Sequence, residues 1–235
     1  MTKSEVMKAL EGFGNPSTLK IFRKHGLYGA AFGVKVADLK VLQKKIKKDH
    51  QLSLDLYDSG NGDAMYLAGL IADEEKISKK DLHIWAKKSE WQMVSEYTVP
   101  WIASESNHGL ELALEWIDNK EEKISSCGWS TLASLASIKN DEDLDLTLYK
   151  KLLKRVEKEI HNAPNRTRYS MNGFVIAVGS FIESLNENAM KTAKSIGKVE
   201  VLTGETACKV PFAPDYIQKV VDKGRLGKKR KMARC

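Results

Sequence analysis

Amphipathic segments with a helical period follow one another through most of the chain, each opened by a capping residue and closed by a short polar turn. Met7 and Leu10 share one face of a first segment, and Asn15-Pro16 supplies a cap and a first-turn proline for a second, reaching about His25. From Val36 to Lys48 the apolar Val36, Leu39, Val41, Leu42 and Ile46 oppose Lys40, Lys44, Lys45, Lys47 and Lys48, an amphipathic helix with a basic face. Asn61-Gly62-Asp63 caps a small-residue helix, and Ser78 opens another that carries Leu82, Trp85 and Ala86. Further helices carry Leu110 to Trp116, then Trp129 to Ile138. The last three run from Asp145 towards His161, from Arg166 to Leu185, and on to Ile196.

No stretch within these segments alternates as a half-buried strand would, so the sequence predicts an all-α fold. The helix pairs recur at roughly 35 to 45 residues, the spacing of HEAT-type (ARM-type) repeats, which stack into a solenoid. A compact helix bundle satisfies the same pattern. The glycine-rich Gly26 to Gly33 segment has neither the spacing of a P-loop nor that of a dinucleotide fingerprint and reads as a connector. After Gly197, Val199 to Leu202 and Ala207 to Pro211 look extended around Gly204, a small hairpin or an arm. These features divide the chain into a helical-repeat domain at 1–196 and, at 197–235, an extension with a short extended arm and a basic tail.

Charge is segregated. From Lys219 onward eight basic residues face one acid, Asp222, a balance equal to the formal +7 of the whole chain. The body is therefore neutral overall, and an anion-binding surface on it needs local sorting of charges. No run approaches the roughly 20 apolar residues of a membrane span, and the first residues lack the apolar core of a signal peptide. Cys127, Cys208 and Cys235 are an odd, widely spaced set without a C-x-x-C pair, which fits a reduced, cytoplasmic protein. The five histidines show no metal-ligand spacing, so neither metal nor cofactor is expected.

The stretch Lys88 to Tyr97 concentrates the chemistry. Ser89 and Gln92 have the spacing of a capping box, which predicts a helix starting at Glu90 and running until Pro100 breaks or kinks it. On that helix Trp91 and Ser95 share a face, with Lys88 just outside its start. The same residues also suit a core tryptophan beside a filler serine.

Phe32-Gly33-Val34-Lys35-Val36-Ala37-Asp38-Leu39-Lys40, with tryptophans at 85, 91 and 116, resembles the AlkC/AlkD-type DNA alkylation repair family over about residues 15 to 185. The resemblance implies a curved stack of HEAT-like repeats with duplex DNA on the concave face. It also implies, in active members, excision of cationic alkylated bases. Such an enzyme needs a carboxylate beside the sugar cation, aromatic faces for the cationic base and arginines on the flanking phosphates. The family's tryptophan–aspartate pair falls on Trp91 and Ser95, so the carboxylate is missing. The arginine expected after Trp116 falls near Ser126 or Cys127. In the last repeat Arg168 is retained, Gly173 or Phe174 takes the tryptophan's place, and a second arginine becomes Ile176 or Ala177. Glu96 is a candidate substitute, but in a regular helix it lies about 100° from Ser95 and points elsewhere.

The catalytic candidates are thus Trp91, Ser95 and Glu96, none with an assigned role. The nucleic-acid-binding candidates are Lys40, Lys44, Lys88, Arg168, Lys228, Lys229, Arg230 and Lys231, with Lys40, Lys44 and Arg168 on a common inner face. The tail Lys228 to Lys231 reads as a disordered end, a phosphate-contacting arm or a localisation signal. The expectation is a monomeric DNA-binding HEAT-like-repeat protein related to alkylation repair, without strong glycosylase activity. A glycosylase using another carboxylate and a protein-interaction scaffold are the alternatives.

Overall fold

The computed structural model describes residues 1–234. Its first helices are α1 (Lys3–Phe13), α2 (Pro16–Lys24), α3 (Val36–Ile46), α4 (His50–Tyr57), α5 (Gly62–Ile71) and α6 (Lys79–Lys88). The middle of the chain forms α7 (Val99–Glu105), α8 (Gly109–Trp116) and α9 (Glu122–Ile138). Then come α10 (Leu146–Glu159), α11 (Asn165–Phe181), α12 (Asn186–Ile196) and α13 (Ala213–Asp222). No β-strand occurs among the described residues.

The caps read from the sequence start these helices. Asn15 accepts from Thr18 N–H, Asn61 from Asp63 and Ala64, and Ser78 forms a full capping box with Asp81. The glycine-rich connector is tied down by Asp63, whose carboxylate accepts from the N–H groups of Phe32, Gly33 and Val34. Gly33 has φ +80° there, and a Cβ on it would sit 2.6 Å from the Asn15 carbonyl, so the turn requires glycine.

Equivalent positions on α9 and α11 meet about one repeat apart. Ser125 touches Thr167 at 2.5 Å and Ser130 touches Ser170 at 3.2 Å, so the two helices run parallel. Trp129 of α9 packs edge-on against Phe174 of α11, which stacks on Tyr149 of α10. One apolar cluster gathers residues of the first repeats, from Val6 to Cys127, and a second those of the last, from Ala113 to Ile217. The successive helices α5, α7, α9 and α11 form one layer whose C-terminal ends lie along a common edge. The C-terminal segment traces that edge, touching Ser180, Ser137, Glu105 and Ala72 in turn.

That segment departs from the disordered end, one of three readings of the tail. Gly227 N–H donates to Ser180 O, Arg230 N–H to Ser137 O at 2.8 Å, and Ala233 N–H to the Glu105 carboxylate at 2.7 Å. Ala233 is fully buried in the first cluster. Arg234 donates to Glu105, Glu74 and the Ala72 carbonyl. The tail is a strap, and the reason is electrostatic: helix C-termini present unpaired carbonyls and partial negative charge, which Lys229 and Arg234 satisfy.

The segment before α13 is extended, as expected, but its two halves make no ladder. It is held instead by side chains of α11. Asn165 brackets the Leu202 backbone, Arg168 donates to Glu200 O, and Asn172 donates to Pro211 O.

Candidate functional site

The helix expected to start at Glu90 does not. Ser89 closes α6, its hydroxyl donating to Ala86 O at 2.6 Å, so the apparent capping box with Gln92 never forms. The chain bends through Trp91, and Val94–Thr98 forms a turn of π-helix running straight into α7. Pro100 explains it. Proline has no N–H for the Glu96 carbonyl, and its ring crowds the carbonyl four residues back. Widening the preceding turn relieves that clash, and Val99 N–H reaches back five residues to Val94 O.

A π turn advances side chains by less than 100° per residue, and this overturns the expected direction of Glu96. Glu96, together with Tyr97 and Trp101, faces a central cleft of about 270 Å³ between α7, α9 and α11. Ser130, Ser134 and Ser137 line it from α9, and Tyr169, Ser170, Asn172 and Phe181 from α11. Arg230 of the strap and Pro211 of the arm complete the lining. Ser95 is buried but does not line the cleft.

Glu96 is the only acid on that wall, and it is not free. Arg166, in the first turn of α11, donates Nε to Oε1 at 2.6 Å and a terminal nitrogen to Oε2 at 2.5 Å. The Glu96 side chain is only 2% exposed and that of Arg166 17%. The Arg166 guanidinium also lies 4.4 Å from the centre of the Tyr169 ring, and its own backbone N–H is capped by Glu122. Burial pushes the Glu96 carboxyl above the usual carboxylate range, and Arg166 draws it part of the way back. Burial likewise raises the Tyr97 phenol, and Tyr169 lines the same cleft. The Asn172 Oδ1 is buried without a partner. The cleft is therefore aromatic and polar, with its single carboxylate neutralised.

Trp91 is elsewhere. It is 5% exposed, packs on Phe22 with ring centres 4.9 Å apart, and lines cavities on either side of the first repeat, not the central cleft. Its indole N–H is buried without a partner. The structure thus separates Trp91 from the carboxylate chemistry the sequence placed beside it. Neither position after Trp116 that the resemblance marks holds an arginine: Ser126 is fully buried and donates to Lys123 O, and burial raises the Cys127 thiol, which suits packing and not reactivity.

The basic candidates occupy several places. Lys88 pairs with Asp58 at 2.6 Å, and Arg168 lines the pocket under the arm. Lys44 lines a groove at the C-terminal edge, so Lys44 and Arg168 do not share a cavity; Lys40 lies on α3, lining neither. Lys228 is exposed, Lys229 pairs with Asp141 at 2.8 Å and donates to Ala136 O, and Lys231 lies in the same edge groove as Lys44. Arg166, which no sequence motif marks, is the residue that decides the cleft. The signal in the sequence is Glu96 itself, an acid in an apolar helix that has to find a cation. No cluster of potential metal ligands occurs among the described residues, and no described helix is long and apolar enough to cross a membrane.

Residues 6–208 match the model of the DNA alkylation repair enzyme family. An uncharacterised protein of Listeria innocua is 34% identical over 225 residues, covering 93% of this chain and 97% of its own. One from Listeria monocytogenes is 36% identical with the same coverage. A solved structure superposes with a TM-score of 0.92 at 37% identity, each chain covered in full. That protein is described as one of a new family related to the HEAT-like repeat DNA glycosylases, with affinity for branched DNA structures. The α-helical solenoid, its repeat spacing and these matches agree: the chain belongs to the DNA alkylation repair enzyme family and has its HEAT-like repeat fold.

Proposed function

We propose that this protein binds branched DNA and does not release alkylated bases at the rate of an excision enzyme. The observation that carries the second half is the Glu96–Arg166 pair. Breaking an N-glycosidic bond develops positive charge on the sugar, and a catalytic carboxylate must face that charge unneutralised. Here both carboxylate oxygens accept from one guanidinium, and the serine at the family's carboxylate position is buried outside the cleft. Removing one well-placed electrostatic group costs about a hundred- to a thousandfold in rate, and Arg166 adds a like charge next to the cation to be stabilised. Trp91 is 5% exposed, packs against Phe22 and does not line the cleft that holds Glu96, so it stands apart from that carboxylate.

The first half is supported by the affinity described for the similar solved structure. The exposed basic side chains are also spread over several surfaces instead of one groove, which suits a ligand with more than one duplex arm. Phosphate contacts by Lys40, Lys44, Lys88, Arg168, Lys228 and Lys231 would give such binding its salt dependence.

The test measures affinity for a four-way junction, a three-way junction and a linear duplex of matched length across a salt series. In parallel, free base released from 7-methylguanine- and 3-methyladenine-containing DNA is followed for wild type, Ser95→Asp and Glu96→Gln. The expected result is tighter binding to junctions than to duplex and no base release by any of the three. Rapid release by wild type that disappears in Glu96→Gln would overturn the reading, as would equal affinity for junction and duplex.

A further inference from the structure

The groove at the C-terminal edge of the helical layer has the opposite character to the central cleft. It encloses about 720 Å³ and is lined by Lys44, Lys47 and Lys48 from the end of α3, Lys139 from the end of α9, and Lys231 and Arg234 from the strap. Its two acids, Glu74 and Glu105, are already taken. Arg234 pairs with both at 2.5 Å, and Lys48 adds a 2.8 Å contact to Glu74. Lys44, Lys47, Lys139 and Lys231 have no ion pair among the described residues, and all four are exposed. Four unpaired ammonium groups from three separate chain segments line one groove, and the return of the strap to this edge adds the fourth, Lys231. Among like charges without a counterion such convergence is unfavourable, so it calls for an anionic partner.

Lys47 supplies a second, independent sign. It is the only described residue other than glycine with positive φ, at φ 65° and ψ −123°. A side chain held in such a region is strained, whereas glycine holds it freely. The lysine stands where glycine would be the more stable choice. Its charge therefore has a use that its backbone does not explain.

We propose that this edge groove grips the phosphate backbone of a second duplex arm. This inference rests on the branched-DNA reading above and adds the surface that tells a junction from a duplex. The groove lies at the C-terminal ends of α3, α5, α7 and α9, whereas Arg168 and the extended arm lie near the start of α11. The two basic regions are thus at opposite edges of one helical layer. A single straight duplex engages one of them or the face between them, and an arm diverging from it reaches the other.

The experiment uses the full chain and the quadruple variant Lys44→Gln, Lys47→Gly, Lys139→Gln and Lys231→Gln, with binding to a four-way junction and a matched linear duplex measured across a salt series. All four side chains are exposed, and thermal melting checks the fold. The salt slope for the junction should fall by about 0.9 for each phosphate left without its lysine, roughly 3.6 for four, while the duplex slope stays within about 0.9 of wild type. Lys47→Gly alone should raise the melting temperature while weakening junction binding. Unchanged junction slope and affinity in the quadruple variant would overturn the inference while leaving the branched-DNA reading in place. An equal loss on junction and duplex would overturn it too, because the groove would then belong to the main duplex site. If wild type shows no preference for the junction at all, the branched-DNA reading fails and the inference fails with it.

Discussion

Substituting Arg166 by methionine removes the cation and keeps most of the side-chain volume, leaving Glu96 charged and 2% exposed in the cleft wall. Two unit charges about 4 Å apart interact by roughly 4 kcal/mol at an effective dielectric constant near 20. Breaking a buried pair from one side costs about 3–5 kcal/mol for the same reason, since the remaining charge has no solvent to turn to. The expected loss of unfolding free energy at pH 7 is therefore about 3–4 kcal/mol, read from urea denaturation followed by tryptophan fluorescence. The sign of the pH dependence is a sharper check. Burial already raises the Glu96 carboxyl, and removing Arg166 raises it further. A group with a raised folded-state pKa binds its proton more tightly when folded, so stability is recovered as pH falls through that value and is lost as pH rises through it. The Arg166→Met deficit should accordingly shrink between pH 7 and pH 5. Adding Glu96→Gln should recover much of it at pH 7 and abolish its pH dependence. A loss below about 1 kcal/mol, or a deficit equal at both pH values, would refute the argument that the pair is buried and mutually dependent.

The strap gives a second expectation: Arg234→Met removes the guanidinium from Glu105, which keeps only its backbone donors, and from the Ala72 carbonyl, and should cost about 2–3 kcal/mol in a urea titration. Burial opposes ionisation of Glu74, but hydrogen bonds from Lys48 and Arg234 outweigh it and hold the carboxyl at about 2. Because that value is depressed, the contact's contribution is present above the ordinary carboxylate pKa and is lost as pH falls towards 2, an acid-side loss that Glu74→Gln should remove from a melting-temperature profile. Where α5 meets the π turn, a Cβ on Gly69 would sit 2.4 Å from the Thr98 methyl. Gly69→Ala should destabilise by about 1–3 kcal/mol, and Thr98→Ser, which removes that methyl, should rescue part of it.

Much of the architecture is legible in the sequence because it is local. Asn15, Asn61, Ser78 and Asp145 cap helices by spacing alone, and the distance between repeats survives in the matched positions of α9 and α11. The site is less legible because it turns on a single residue of helical register. A regular helix from Glu90 puts Ser95 on the face of Trp91 and Glu96 about 100° away; with a π turn ahead of Pro100, Glu96 lines the cleft and Ser95 does not. Pro100 announces a disturbance without giving its form. Arg166 is hidden for another reason, since it lies 70 residues beyond Glu96 and only the stacking of repeats brings them together. The strap leaves no periodic signal at all. A run of lysines and arginines has the same composition whether solvated or lying on helix ends, and the carbonyls that hold it have no sequence signature.

The return of the chain end to Ala72 and Glu74 changes the thermodynamic class of the molecule. A solenoid is ordinarily one-dimensional: each repeat answers only to its neighbours, and an end can fray without informing the other end. Here Arg234 bonds to residues 160 and 162 positions earlier, and Ala233 is buried in the cluster of the first repeats. The array is closed into a loop, so its first repeats complete their core only when the last residues arrive. Fraying of the last repeats is then coupled to the core of the first. Wild type should melt in one transition, whereas a chain ending before Gly227 should melt in two, its first repeats losing structure before its last.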